Sequence, residues 1–320
     1  SLDVAELKIL VKYAKDLIKK KGIPFYLKKW KPYKMKPLGS YSSRDEFNAD
    51  LQRFMKSYHH HTFIQYKNKY IRLESPENMK LTKADRLFKA QLPKDDMPMP
   101  EFKWLEGKKI GYVRFYHFDQ EIVGEDNVYD YTPLSKKRIK SFISMTRKHI
   151  SGFIKNKNVH GIILDFRFHT GGNVTILYEA LSGLLGDTSI YAWKNTPAKR
   201  KDKVWVNTDS INGSFEDQPF KSASLATQLP IAVLIGPHTA SAGEFGALMF
   251  SGRVGTRFFG SPSAGMLSGN AIYMKNDYEF VITGDLVTTV DGVFHSDERI
   301  TPDVITKTPE KAAVKWILNY

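Results

Sequence analysis

The sequence predicts an α/β protein with a mostly helical N-terminal part. Two short, uninterrupted apolar runs, residues 161–165 and 231–235, each pass through small residues into a helical pattern. That alternation marks βαβ units around a buried sheet. The first hundred residues instead carry helical spacing, and residues 92–100, with three prolines and several charges, separate the two textures. The expected organisation is a mostly helical subdomain with a β-hairpin over residues 1–100 and an α/β core over residues 101–320.

Val4, Leu7, Val11, Ala14 and Ile18 recur at helical spacing, and Gly22 stops the pattern. A basic, aromatic, proline-bearing stretch follows over 24–37, then a second helix from Ser42 or Ser43 towards Tyr58. Residues 62–66 and 70–73, joined by Lys67-Asn68-Lys69, read as a hairpin. Beyond the linker, residues 110–115 form a strand and 135–154 a long amphipathic helix. The run 161–165 is a short buried strand leading to Gly171-Gly172 and a helix over 173–185. The run 231–235 is its counterpart, followed by a helix over 241–250. Residues 271–303 alternate as β-hairpins, and Thr308, Pro309 and Glu310 open a last helix.

No apolar run approaches the ~20 residues a membrane-spanning helix needs, so no transmembrane segment is expected. The absence of cysteine excludes disulfides, thiol nucleophiles and thiolate zinc sites together. The net charge is +14, but the basic runs (Lys19–Lys21, Lys28-Lys29, Lys136–Arg138 and Lys199–Lys201) are scattered and no nucleic-acid motif accompanies them. They read as solvated surface, and no nucleic-acid partner is expected. The chain begins at Ser1 without methionine and carries no signal-peptide pattern. Export with a leader removed is one expectation, and the compartment stays open, as does the oligomeric state.

The chemistry concentrates at two turns. In Gly236-Pro-His-Thr-Ala-Ser-Ala-Gly-Glu244 a buried strand ends in small residues and a helix begins at Ser241. A serine there can present its hydroxyl at the sheet edge, with the Ala242 N–H aimed at an oxyanion. The plainer alternative is a helix N-cap. Asp165-Phe-Arg-Phe-His-Thr-Gly171-Gly172 leaves the neighbouring strand through a glycine pair, whose amides can approach a ligand closely. A serine nucleophile needs a base. Among nine histidines, the run His59-His60-His61 invites a metal reading, but successive residues diverge, so the run chelates poorly and reads mostly as surface. Neither metal nor cofactor is expected.

These turns resemble the two signature motifs of the tail-specific, or C-terminal-processing, serine peptidases. Ile110-Gly-Tyr-Val-Arg114, Gly260-Ser-Pro-Ser-Ala-Gly265 and Ile300-Thr-Pro-Asp-Val304 are similar to further family segments in the same order. The resemblance implies a crotonase-like core, hydrolysis of peptide bonds, a peptide or protein substrate, and Ser241 as nucleophile. Met266 stands where the Ser-Lys members carry a lysine, so the resemblance runs instead to the tricorn-like branch, which takes a histidine from the N-terminal subdomain. His61, in His61-Thr62-Phe63, is the implied base, with His117 as competitor.

The orienting acid is the weak match. Its position falls on Ser296, with Asp297 and Glu298 alongside, and Glu244 is a second candidate. The oxyanion is assigned to the amides of Ala242 and of Gly171 or Gly172. The interval between His61 and Gly111 is too short for the inserted peptide-binding module of many relatives, so substrate capture is left to the N-terminal region and the sheet edge, where an exposed strand can take an extended peptide. The rival reading is a catalytically weak or inactive relative that binds a peptide or an apolar ligand.

Overall fold

The computed structural model describes residues 2–73, 80–126, 128–185, 189–194, 204–207, 228–290, 294–295 and 298–320. Helix α1 (Val4–Lys21) starts where Asp3 accepts the Ala5 N–H at 2.9 Å and stops at Gly22, whose N–H closes on Ile18 O. A short turn of helix, α2 (Pro24–Leu27), leads on to α3 (Arg44–Tyr58), which begins where the Ser43 hydroxyl accepts the Glu46 N–H. The stripes Leu7, Leu10, Ala14, Ile18 and Phe47, Leu51, Phe54, Met55, Tyr58 pack into one apolar cluster. Strands β1 (Phe63–Tyr66) and β2 (Lys69–Tyr70) form the hairpin. Its turn is the pair Lys67-Asn68, at φ 49° and 61°, and its second arm ends at Tyr70 rather than Leu73. Helix α4 (Lys83–Ala90) is opened by a Thr82–Asp85 capping box.

The remaining chain runs β3 (Glu101–Leu105), β4 (Ile110–Phe118), β5 (Ile122–Glu125), β6 (Val128–Tyr131), α5 (Pro133–Lys155), β7 (Gly161–Gly172) and α6 (Val174–Leu181). Then come β8 (Ser189–Lys194), β9 (Val204–Asn207), β10 (Ile231–Ile235), α7 (Ala242–Leu248), β11 (Thr256–Gly260), β12 (Gly269–Lys275) and β13 (Tyr278–Thr289). Strands β14 (Phe294–His295) and β15 (Val304–Ile305) precede the last helix, α8 (Pro309–Leu318). Among the described residues, no helix is long and apolar enough to cross a membrane.

One sheet has the order β15-β11-β10-β7-β4-β3, parallel except for the antiparallel edge strand β3. Ile162, Leu164, Phe166, Val233 and Ile235 point to the layer of α5, α6 and α7, while Ile163, Ala232 and Leu234 point to α8. Both faces are covered, which is why these strands are apolar without alternation. Each fully buried Leu or Ile contributes about 1.5–3 kcal/mol. Met97 is buried against this core and Asp96 O accepts the Asp119 N–H at 2.7 Å, so the proline-bearing segment before β3 is packed rather than a free tether.

Strand β7 runs on to Gly172, well past the expected end at Asp165. Arg167 and His169 interrupt the apolar pattern that marks a buried strand, yet both are accommodated. The Arg167 guanidinium pairs with Asp165 at 2.9 and 2.8 Å, and His169 is buried. The second sheet has the order β2-β1-β13-β8-β9, with β12 and β14 also on β13. Here β1 lies antiparallel to β13 in the register Phe63↔Val281 to Tyr66↔Tyr278. Tyr278, Phe280 and Ile282 therefore share the apolar cluster of α1 and α3. This pairing carries the end of α3, and His61 with it, to the start of β12.

Candidate active site

Strands β7 and β10 are parallel neighbours, with Leu234 opposite Asp165, so both carboxyl ends open on the same edge of the sheet. From β10 the chain turns through Gly236–Thr239, where the Thr239 hydroxyl donates to Phe166 O on β7 and accepts the Gly236 N–H. Ser241 follows at φ 52°, ψ −118°, a conformation costing on the order of 1–3 kcal/mol for a side chain with a Cβ. It then enters α7, so the half-buried serine sits on a strained strand-to-helix turn. Gly243 lets α7 lie directly on β7, since a Cβ there would meet His169 O at 2.2 Å.

The buried His61 meets this serine. Its Nε2 lies 3.1 Å from Ser241 Oγ, and its Nδ1 lies 2.5 Å from Ser268 Oγ. Hydrogen bonds from both flanks fix the segment. Asn270 Nδ2 donates to His61 O at 2.9 Å, the His61 N–H donates to His59 Nδ1, and the Thr283 N–H donates to Thr62 Oγ1. The histidine run is therefore mainly interior. His59 and His61 are buried and only His60 is exposed, contrary to the surface expectation, because β12 and β13 cover this face.

Glu244 is a clamp on the turn rather than a partner of the imidazole. Its carboxylate accepts the N–H groups of Ser241 (3.1 Å), Gly265 (3.0 Å) and Met266 (2.7 Å) and the Ser263 hydroxyl (2.6 Å). Burial raises this carboxyl above the usual carboxylate range, and the four hydrogen bonds oppose that shift. Glu298 is exposed, and Ser296 and Asp297 lie outside the described residues, as does the Lys199–Lys201 run. His117 places Nε2 at 2.9 Å from Asp95 O.

The glycine pair passes beside Ser241, since a Cβ built on Gly171 would lie 3.9 Å from Ser241 Cβ. Gly172, at φ 133°, lies so close to Phe118 that a Cβ would meet its carbonyl oxygen at 2.2 Å. The Gly171 N–H points at His169 Nδ1, 3.3 Å away, and is not the open donor the sequence suggested. At the other end of the motif, burial would raise the Asp165 carboxyl, yet Arg167, Tyr112 and Arg114 hold it below its ordinary value. Asp165 and Arg167 thus serve the fold. Ser268 is the site residue that sequence reasoning missed. Its signal was slight, a small polar residue two places beyond Met266.

The family model for peptidase family S41 matches residues 109–306. The nisin-resistance protein of Lactococcus lactis subsp. lactis is 30% identical over 165 residues, 51% of this chain and 52% of that protein. The match thus spans about half the length of that relative. A lipoprotein from Streptococcus agalactiae has the same fold over 99% of this chain and 96% of that one, with TM-score 0.69 and 18% identity. The photosystem II D1 C-terminal processing protease overlaps 63% of this chain and 43% of that one, with TM-score 0.43 and 19% identity.

Proposed function

This chain belongs to peptidase family S41, and from that premise we propose that it is a serine endopeptidase with Ser241 as nucleophile and His61 as general base. The observation that carries the reading is the 3.1 Å approach of Ser241 Oγ to His61 Nε2 on a strained turn at the carboxyl edge of the sheet. In the working tautomer the Nδ1 proton of His61 faces Ser268 Oγ, leaving the Nε2 lone pair to take the serine proton. Oγ attacks the scissile carbonyl carbon, and the C=O electron pair moves onto the oxygen. The Ala242 amide at the head of α7 and the Gly172 amide hold that charge, Gly171 being engaged by His169. The imidazolium then gives its proton to the leaving amine, and a water hydrolyses the acyl-enzyme by the same base.

On this reading the core is crotonase-like, the chain sits in the tricorn-like branch, and the N-terminal subdomain donates the base across the β1–β13 pairing. The substrate is a peptide or protein. Nisin, taken from the relative's name, belongs among the peptides tested. The parent protein and Ser241→Ala are incubated with a mixed peptide pool and nisin, and products are read by mass spectrometry. Cleavage by the parent alone supports the proposal. Equal cleavage by both proteins ends the assignment of Ser241, and peptide binding without any cleavage favours a binding protein on this fold.

A further inference from the structure

His169 lies beneath the site and takes no part in the proton path above. It is 1% exposed, on β7, between the nucleophile turn and the glycine pair. Its carbonyl accepts the Ala240 N–H at 3.2 Å, immediately before the serine. Its backbone and Cβ are what a Cβ on Gly243 would strike, so α7 rests directly on it. Its ring nitrogen Nδ1 accepts the Gly171 N–H at 3.3 Å. One residue thus touches the chain on both sides of Ser241 and the glycine strand opposite.

Resting on the peptidase reading, we infer that His169 is a positioning residue whose ring fixes the Gly171 amide and so sets the orientation in which the Gly172 amide meets the reacting carbonyl. Gly172 is seated against the Phe118 backbone, whereas Gly171, at φ 146°, has no side chain to hold its peptide plane, and the His169 ring supplies an acceptor that defines it. Between the pairs Tyr116↔Phe168 and Phe118↔Gly172 the register of β7 against β4 shifts, so the regular ladder does not itself set the Gly171 peptide. Holding the Gly171 N–H on the buried ring fixes the peptide plane next to the one that carries the Gly172 N–H. The acceptor must also be permanent. Burial pushes the His169 ring down to about 3, so it stays neutral across ordinary working pH. With Nδ1 accepting, the ring proton resides on Nε2.

The test compares His169→Leu, which removes the acceptor, with His169→Asn, whose side-chain oxygen can accept the same i+2 amide in an Asx turn. The readouts are kcat, KM and the inhibition constant of a peptide boronic acid at Ser241. In His169→Leu, kcat and boronate affinity should each fall about 10²-fold with KM little changed, as for loss of one oxyanion donor. His169→Asn should recover most of both. Equal losses in the two variants, or a change confined to KM, would overturn the inference.

Should the leucine variant not fold, nitrogen-15 imidazole spectra of the parent decide. A bare Nδ1 with the proton on Nε2 is expected, and a protonated Nδ1 contradicts the assignment. If the parent neither cleaves peptides nor reacts at Ser241, the peptidase reading fails on its own, separately from the tautomer result.

Discussion

Ser268 Oγ lies 2.5 Å from His61 Nδ1, and Nε2 of the same ring faces Ser241 Oγ at 3.1 Å. A hydroxyl thus faces the ring nitrogen opposite the one that meets Ser241, where it can help hold the imidazole in its orientation. Ser268→Ala should lower kcat by about 10–10²-fold with KM nearly constant, a milder loss than removing a base outright. Steady-state kinetics check this, and an unchanged kcat would show that Ser268 has no share in the reaction.

Ser241 pays for its exposure in backbone strain at φ 52°. Replacing it with glycine removes the Cβ that makes this region costly, so Ser241→Gly should be more stable than Ser241→Ala by about 1 kcal/mol. Both should be inactive. Urea unfolding of the two inactive variants measures the difference, and equal midpoints would mean the turn relaxes without cost.

Glu244 satisfies three backbone N–H groups and one hydroxyl that come from two segments, residues 241 and 263–266. In Glu244→Ala those buried donors lose their acceptor, with an expected destabilisation of about 2–4 kcal/mol. Activity should fall as well, because the 263–266 segment leads directly to Ser268. Glu244→Asp, with a shorter reach, should lie between. Chemical denaturation and kcat on the same preparations provide the check.

Glu279 is buried on β13, and burial pushes its carboxyl up to about 7. A carboxyl raised in the folded state favours the protonated form. Its stability contribution is therefore complete below the unfolded value near 4.5 and is lost as pH rises through about 7. The loss amounts to about 3 kcal/mol at most, at 1.36 kcal/mol per unit. Glu279→Gln should flatten the stability difference between pH 5 and pH 8. An identical pH profile in both proteins would place the titration elsewhere.

The parts of the site legible in the sequence are those with a local cause. An apolar strand leading into small residues and a helix marks Ser241, and a glycine pair after a second such strand marks the opposite wall. His61 came from resemblance, and the β1–β13 pairing that carries it to Ser241 joins residues more than two hundred positions apart. No local pattern announces that pairing. Ser268 was hidden for the same reason, since an isolated serine at a strand start has many uses. The sequence pattern ends β7 early because Arg167 and His169 look like the end of a buried run. Asp165 and helix α7 supply the contacts that let them stay inside.

The most direct measurement is reaction with a fluorophosphonate, followed by mass spectrometry of the parent, Ser241→Ala and His61→Ala. A single adduct on Ser241 is expected in the parent, none in Ser241→Ala, and labelling slowed by orders of magnitude in His61→Ala. An unlabelled parent, or labelling at the parent's rate in His61→Ala, would contradict the pairing of these two side chains as nucleophile and base.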